Sequence, residues 1–167
     1  MRIISVLLRV FCFPVLLVSQ AQADSAVLES RVMTLDLASR VASAAVKSCA
    51  DSGYQVSVVV VDRSGVPQVV MRDVFASRFT IEIAQRKANA AVLSGTSTTD
   101  LRKNRADIRA DLNEIDGILV LDGALPIRAA GSLLGAVGVS GAPGGDKDEA
   151  CARAGIESVQ EQLDFIE

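Results

Sequence analysis

Histidine is absent from all 167 residues of this chain, and tryptophan with it. That absence removes Ser-His-Asp and Cys-His nucleophiles, His-based zinc sites and the commonest metal-ligating side chain. No catalytic residue and no metal motif is read from what is left. The chemistry rests instead on a glycine-rich run, three cations and two cysteines. The run Gly138-Val-Ser-Gly-Ala-Pro-Gly-Gly-Asp-Lys-Asp-Glu-Ala-Cys151 sets Gly141, Gly144 and Gly145 between a strand and a helix start. Backbone N–H groups there can meet an anion. It is not a phosphate loop, because the Gly-Lys-Ser/Thr ending is missing and its acids repel phosphate. It reads equally as a tight connection with Asp146 capping the next helix. Arg72, Arg78 and Lys87 are the cations nearest an expected cleft between the sheet and the second helix. Lys87 either holds a carboxylate, or lays its stem on the helix surface with its charge in water, or pairs with a buried acid. An acid–base enzyme built here would use Lys87, Asp73 or Asp146.

The elements that must carry these residues follow from apolar spacing. Thr34 suits an N-cap, and Leu35, Ala38, Val41, Ala42, Ala45 and Cys49 recur at helical spacing up to Gly53. Residues 55–62 are a β-branched run, 62–65 a turn and 66–72 a second strand, with Pro67 marking a sheet edge. Ile81, Ala84, Ala88, Ala91 and Val92 predict a second helix closed by Gly95, and a polar third helix runs from Thr98 or Thr99 to about Asn113. Residues 117–122 read as a strand, followed by a hairpin of 124–129 and 132–140 across Ala130-Gly131. The last helix opens at Asp146 and reaches the C-terminus, its first-turn acids matching the helix dipole. Helices cluster rather than alternate with strands, so the expected class is α+β, an antiparallel five-stranded sheet flanked by helices.

The first 23 residues read as an export signal. Arg2 and Arg9 flank a short apolar run over 10–18, and Ala21-Gln22-Ala23 provides the small-x-small cleavage pattern. The run is shorter than the ~20 apolar residues of a spanning helix. Residues 24–33 are then an arm and 34–167 the domain, in the periplasm or secreted, with no membrane attachment after cleavage. The net charge of −3, without a basic run, argues against nucleic acid as a partner.

Four stretches carry a family likeness: Val58-Val-Val-Val-Asp-Arg-Ser-Gly65, Ala84-Gln-Arg-Lys-Ala-Asn-Ala-Ala91, Asp122-Gly-Ala-Leu-Pro-Ile-Arg128, and the run from Gly135 through the glycine-rich loop to Gly155. In this order they resemble the GlcG/HbpS family over about residues 34–160. The resemblance implies a profilin-like α/β/α sandwich with a five-stranded antiparallel sheet, usually assembled into homo-oligomers. Its members include extracellular haem-binding proteins that partner a sensor kinase. Two features depart from them. With no histidine, haem iron could meet only Met33, Met71, Tyr54 or a cysteine. Where relatives carry a Met-Asp-Gly-Ala-like stretch, this chain has Met71-Arg-Asp-Val-Phe-Ala76. In a profilin-like fold the terminal helices cover one sheet face, so Cys49 and Cys151 are either a disulfide or two buried thiols. The first reading is an exported, non-enzymatic, small-ligand-binding protein whose ligand is haem, another tetrapyrrole or a small carboxylate. An enzyme acting on a small organic acid and a ligand-free oligomeric signalling partner are the alternatives.

Overall fold

The computed structural model describes residues 30–165, so the expected leader and its cleavage site lie outside the described residues. Helix α1 (Leu35–Asp51) starts where Thr34 Oγ1 accepts a hydrogen bond from the Leu37 N–H at 3.2 Å. It buries Leu37, Ala38, Val41, Ala42, Ala45 and Cys49, one face at helical spacing. Strands β1 (Ser57–Asp62) and β2 (Pro67–Arg72) form an antiparallel hairpin. Asp62 Oδ1 shapes its turn by accepting from the Ser64 and Val66 N–H groups at 2.8 and 2.9 Å. Helix α2 (Phe79–Ser94) ends on Gly95, whose φ of 66° provides the left-handed stop. Short helices α3 (Thr98–Asn104) and α4 (Arg109–Asn113) follow. Strands β3 (Ala124–Ala129) and β4 (Ser132–Ser140) make a second hairpin. Its tip has φ of 44° at Ala130 and 76° at Gly131, both positive as a tight hairpin turn requires. Helix α5 (Gly145–Glu157) and the short α6 (Gln160–Asp164) complete the chain.

The sheet order is β2-β1-β4-β3, antiparallel throughout. β1 is central and covered on both faces. Val58 and Val60 enter the core beneath α1 and α5, while Val59 and Val61 meet Ala84, Ala88 and Ala91 of α2. That double burial is why its sequence is a run of valines rather than an apolar–polar alternation. β2 lies at an edge and is half exposed, as Pro67 predicts.

The sheet has four strands, not five. Residues 117–122 join no strand: the segment starts in a turn at Gly117 and ends in a bend at Asp122. Their backbone groups are satisfied by helix residues instead. The Leu119 N–H donates to the Arg86 carbonyl at 3.1 Å, Arg86 Nη2 to the Ile118 carbonyl at 3.0 Å, Asn89 Nδ2 to the Gly117 carbonyl at 3.0 Å, and the Val120 N–H to Asn113 Oδ1 at 2.8 Å. Ile118 and Val120 bury against Ala90 and Leu101, forming a small core away from the sheet. The period-2 pattern is real, but its apolar face meets α2 and α3. The expected single polar helix is also two pieces. It breaks at Arg105, with φ −125° and ψ 42°. Only Thr98 and Leu101 of α3, and no residue of α4, are buried, so no continuous apolar face holds a longer helix together. The last helix likewise divides into α5 and α6.

Candidate functional site

The least expected feature of the core is an ion pair inside it. Lys87 lies on α2 at the centre of its inward face, one position before Ala88 and one turn after Ala84. Asp148 lies on α5 in register with the buried Cys151, Ala152 and Gly155. Lys87 is 1% exposed and Asp148 3%. Lys87 Nζ donates to Asp148 Oδ2 at 2.8 Å and to the Val139 carbonyl at 3.0 Å. Asp148 Oδ1 accepts from the Ala142 N–H at 3.0 Å. One side chain pair therefore ties α2, the end of β4, the glycine-rich loop and α5 together. Burial pushes the Asp148 carboxyl above the ordinary aspartate value, against the pull of the Lys87 ammonium and the Ala142 N–H.

Two glycines make room for this arrangement. Gly123 has φ +121°, and a Cβ there would stand 2.7 Å from Asp148 Cβ and 2.8 Å from Lys87 Nζ. Gly145, the first residue of α5, brings its backbone against Asp122, where a Cβ would lie 2.7 Å from the Asp122 carbonyl oxygen. Asp122 in turn receives two parallel hydrogen bonds from Arg102, Nε–Oδ1 2.6 Å and Nη2–Oδ2 2.7 Å. These bonds hold the Arg102 guanidinium above its ordinary pKa.

The sequence candidates fall into separate places. Lys87 takes the buried-acid alternative. Gly141 (φ +133°) and Gly144 (φ +136°) shape the loop beside Asp148, and Gly144 precedes α5 without a side-chain cap. The expected cap, Asp146, is exposed and pairs loosely with Lys147 at 3.6 Å. Arg72 is exposed and donates from Nη1 to the carbonyls of Asp73, Val74 and Ala76, closing the loop after β2. Arg78 is exposed, its guanidinium 4.1 Å from the Phe79 ring centre. Neither arginine joins Lys87 in a hydrogen-bonded cluster. Asp73 is occupied by its own turn, accepting from the Phe75 N–H at 2.8 Å. Asp148 was legible only as one first-turn acid among several. Its signal was position: 148, 151, 152 and 155 form one helical stripe, as 84, 87, 88 and 91 do on α2. An acid and a base on the buried stripes of two helices are each other's natural partners.

Cys49 and Cys151 are joined as a disulfide, with Cα atoms 5.5 Å apart, so neither thiol is available to a metal. Met33 is 4% exposed in the core, Met71 Sδ accepts from Ser43 Oγ at 3.6 Å, and Tyr54 packs half-buried on the same core. This set supplies no imidazole and no thiolate to haem iron, and does not fit the common modes of strong iron ligation within one subunit. Among the described residues no group of three or more His, Cys, Asp or Glu is placed to hold a metal, and no helix is long and apolar enough to cross a membrane. Open space lies away from the ion pair. One groove of about 560 Å³ is polar, bounded by Thr99, Lys103, Glu149 and Arg153, with the Thr99 hydroxyl bonded to Glu149. Another, of about 540 Å³, runs along the segment before α1.

Comparison with known proteins agrees with the fold and the motifs. A family model described as haem degrading protein HbpS-like matches residues 33–157. A crystal structure of HbpS is 40% identical, covering 79% of this chain and 93% of that one, with a TM-score of 0.75. A doubly substituted HbpS from Streptomyces reticuli is 39% identical over 81% of this chain and 92% of its own, also at 0.75. The protein ORFY of Klebsiella pneumoniae shares the fold at 23% identity, with TM-score 0.75 and coverage of 86% and 98%. No curated protein matches significantly. With the glycine-rich motif, the ion pair it encloses and an HbpS-like match across most of its length, the chain belongs to the HbpS-like family.

Proposed function

We propose that this protein is an exported, non-enzymatic binding protein of the HbpS type, acting as a homo-oligomer on haem or another tetrapyrrole, or on a small carboxylate. The observation that carries the reading is the 40% identity to HbpS over 79% of the chain, within a family described by haem chemistry. The export part rests on Arg2, Arg9 and the Ala21-Gln22-Ala23 pattern. The absence of histidine sets the expected mode. The subunit grips the body and carboxylates of the ligand, and iron receives no imidazole. Haemin titration followed in the Soret region, with native mass spectrometry of the same sample, tests this. Weak binding to an oligomer, without the low-spin bands of a nitrogen-ligated iron, is expected. Tight binding with such bands overturns the expected mode, and no haemin binding removes haem from the ligand class.

The family description itself favours a second reading, in which haem is a substrate. Adding oxygen and a reductant to the titration separates the two. A binding protein keeps its Soret band, whereas a degrading enzyme loses it and releases iron, over a background without protein.

A further inference from the structure

The groove before α1 combines features that the buried ion pair lacks. Its floor is apolar, made by Met33, Leu37 and Leu134, and Val32 stands on its wall 73% exposed. Arg31 and Arg40 line it, and Asp36 is its one acid. Arg31 also lines a second groove of about 370 Å³ with Arg63 and the β3–β4 turn. Among the described residues, Arg31 Nη1 is buried without a hydrogen-bond partner. No salt bridge among the described residues engages Arg31, Arg40 or Arg63. The volume, about 540 Å³, lies within the ~300–1,000 Å³ of ordinary ligand clefts.

The geometry points to this groove as a binding site for an amphipathic carboxylate. The apolar body lies on Met33, Leu37 and Leu134. The carboxylate lies against the guanidinium groups of Arg31 and Arg40, the two cations that line the groove. Guanidinium suits a carboxylate because its planar N–H fork matches two oxygens. The assignment rests on the ligand-binding reading and gives it a place. Haem propionates and free fatty acids offer the same chemistry, an apolar body ending in carboxylate.

The test uses the chain from Asp24 onward, the product of the expected leader cleavage. Laurate, dodecanol and haemin are titrated separately, the first two by calorimetry and the last by absorbance. Laurate should bind more tightly than dodecanol, since only laurate brings a negative charge to Arg31 and Arg40. Arg31→Met should weaken laurate by about 10- to 100-fold, the scale of a charge-assisted hydrogen bond, and leave dodecanol unchanged. Val32→Asp, at an exposed site that folding does not need, should weaken both carboxylates. Arg109→Met, on α4 and outside both grooves, should change nothing. Haemin that follows laurate in these variants assigns the groove to tetrapyrrole carboxylates, and laurate alone assigns it to fatty acids. Wild-type binding that Arg31→Met and Val32→Asp leave intact overturns this site while the ligand-binding reading stands. Failure of the wild type to bind any probe overturns both.

Discussion

At the scale of single residues, the Lys87–Asp148 pair controls the interior. Both side chains are almost wholly withdrawn from water, and their hydrogen bonds reach three segments of backbone or side chain. A buried pair of this kind adds little against an apolar substitute, but breaking it leaves a charge with no partner, at about 3–5 kcal/mol. Lys87→Met should therefore lose stability of that order near neutral pH. The pH dependence gives the cause. Burial already raises the Asp148 carboxyl above the unfolded value of 3.8, and Lys87 opposes that rise. Without Lys87 the rise is larger. An acid whose folded pKa is raised contributes stability below the unfolded value and loses it as pH rises through the folded value. The deficit of Lys87→Met relative to wild type should thus shrink from neutral toward about pH 4, where Asp148 accepts a proton. Urea unfolding of both proteins across that range checks this; a deficit constant with pH would contradict it.

At the scale of elements, the glycine-rich motif is the seat of α5. Its glycines bring a helix start against Asp122 and free Asp148 to turn inward, so the motif's composition has a structural cause even though its pattern resembles an anion-binding turn. Gly144 and Gly145 should respond differently to a side chain. At Gly145 a Cβ meets the backbone of Asp122, which the Arg102 bonds hold in place. At Gly144 the obstacle is the exposed, movable Asp146 side chain, although its φ of +136° strains any larger residue. Gly145→Val should cost about 2–4 kcal/mol by displacing α5, and Gly144→Val about 1–3 kcal/mol by backbone strain. The sharper difference is in near-ultraviolet and cysteine-accessibility signals, because only Gly145→Val moves α5 and Cys151 with it. Thermal melts with thiol labelling after reduction measure both; equal labelling of the two variants would remove the assignment.

At the scale of the whole molecule, Cys49 and Cys151 fasten the two helices that cover one sheet face, 102 residues apart in sequence. By loop entropy a closure of that length stabilises the fold by up to about 4–5 kcal/mol. The double variant Cys49→Ala/Cys151→Ala should unfold at lower denaturant than oxidised wild type and lose all sensitivity to reductant. A wild type whose midpoint is the same with and without reductant would show the cross-link absent. Much of this architecture was legible in the chain itself. Thr34, Gly95, the Asp62–Gly65 turn and Ala130-Gly131 signal their caps and turns through local backbone chemistry, which depends on neighbours a few residues away. The four motif stretches carry the family by their residues and their order along the chain. Histidine's absence, too, is a property of composition alone, and it settles which iron ligands the subunit lacks. Tertiary structure decided the rest. Ile118 and Val120 alternate as a strand should, yet their backbone partners are Arg86 and Asn113, with Asn89 holding Gly117 beside them, and only the packing of α2 against this segment determines that the sheet stops at four strands. Lys87 was ambiguous among three environments until α5 brought Asp148 to within 2.8 Å. Arg31 was an unremarked residue of an arm until Met33 and Leu134 came together beside it. In each case the deciding contact joins residues distant in sequence, and local spacing carries no information about which of several compatible partners arrives.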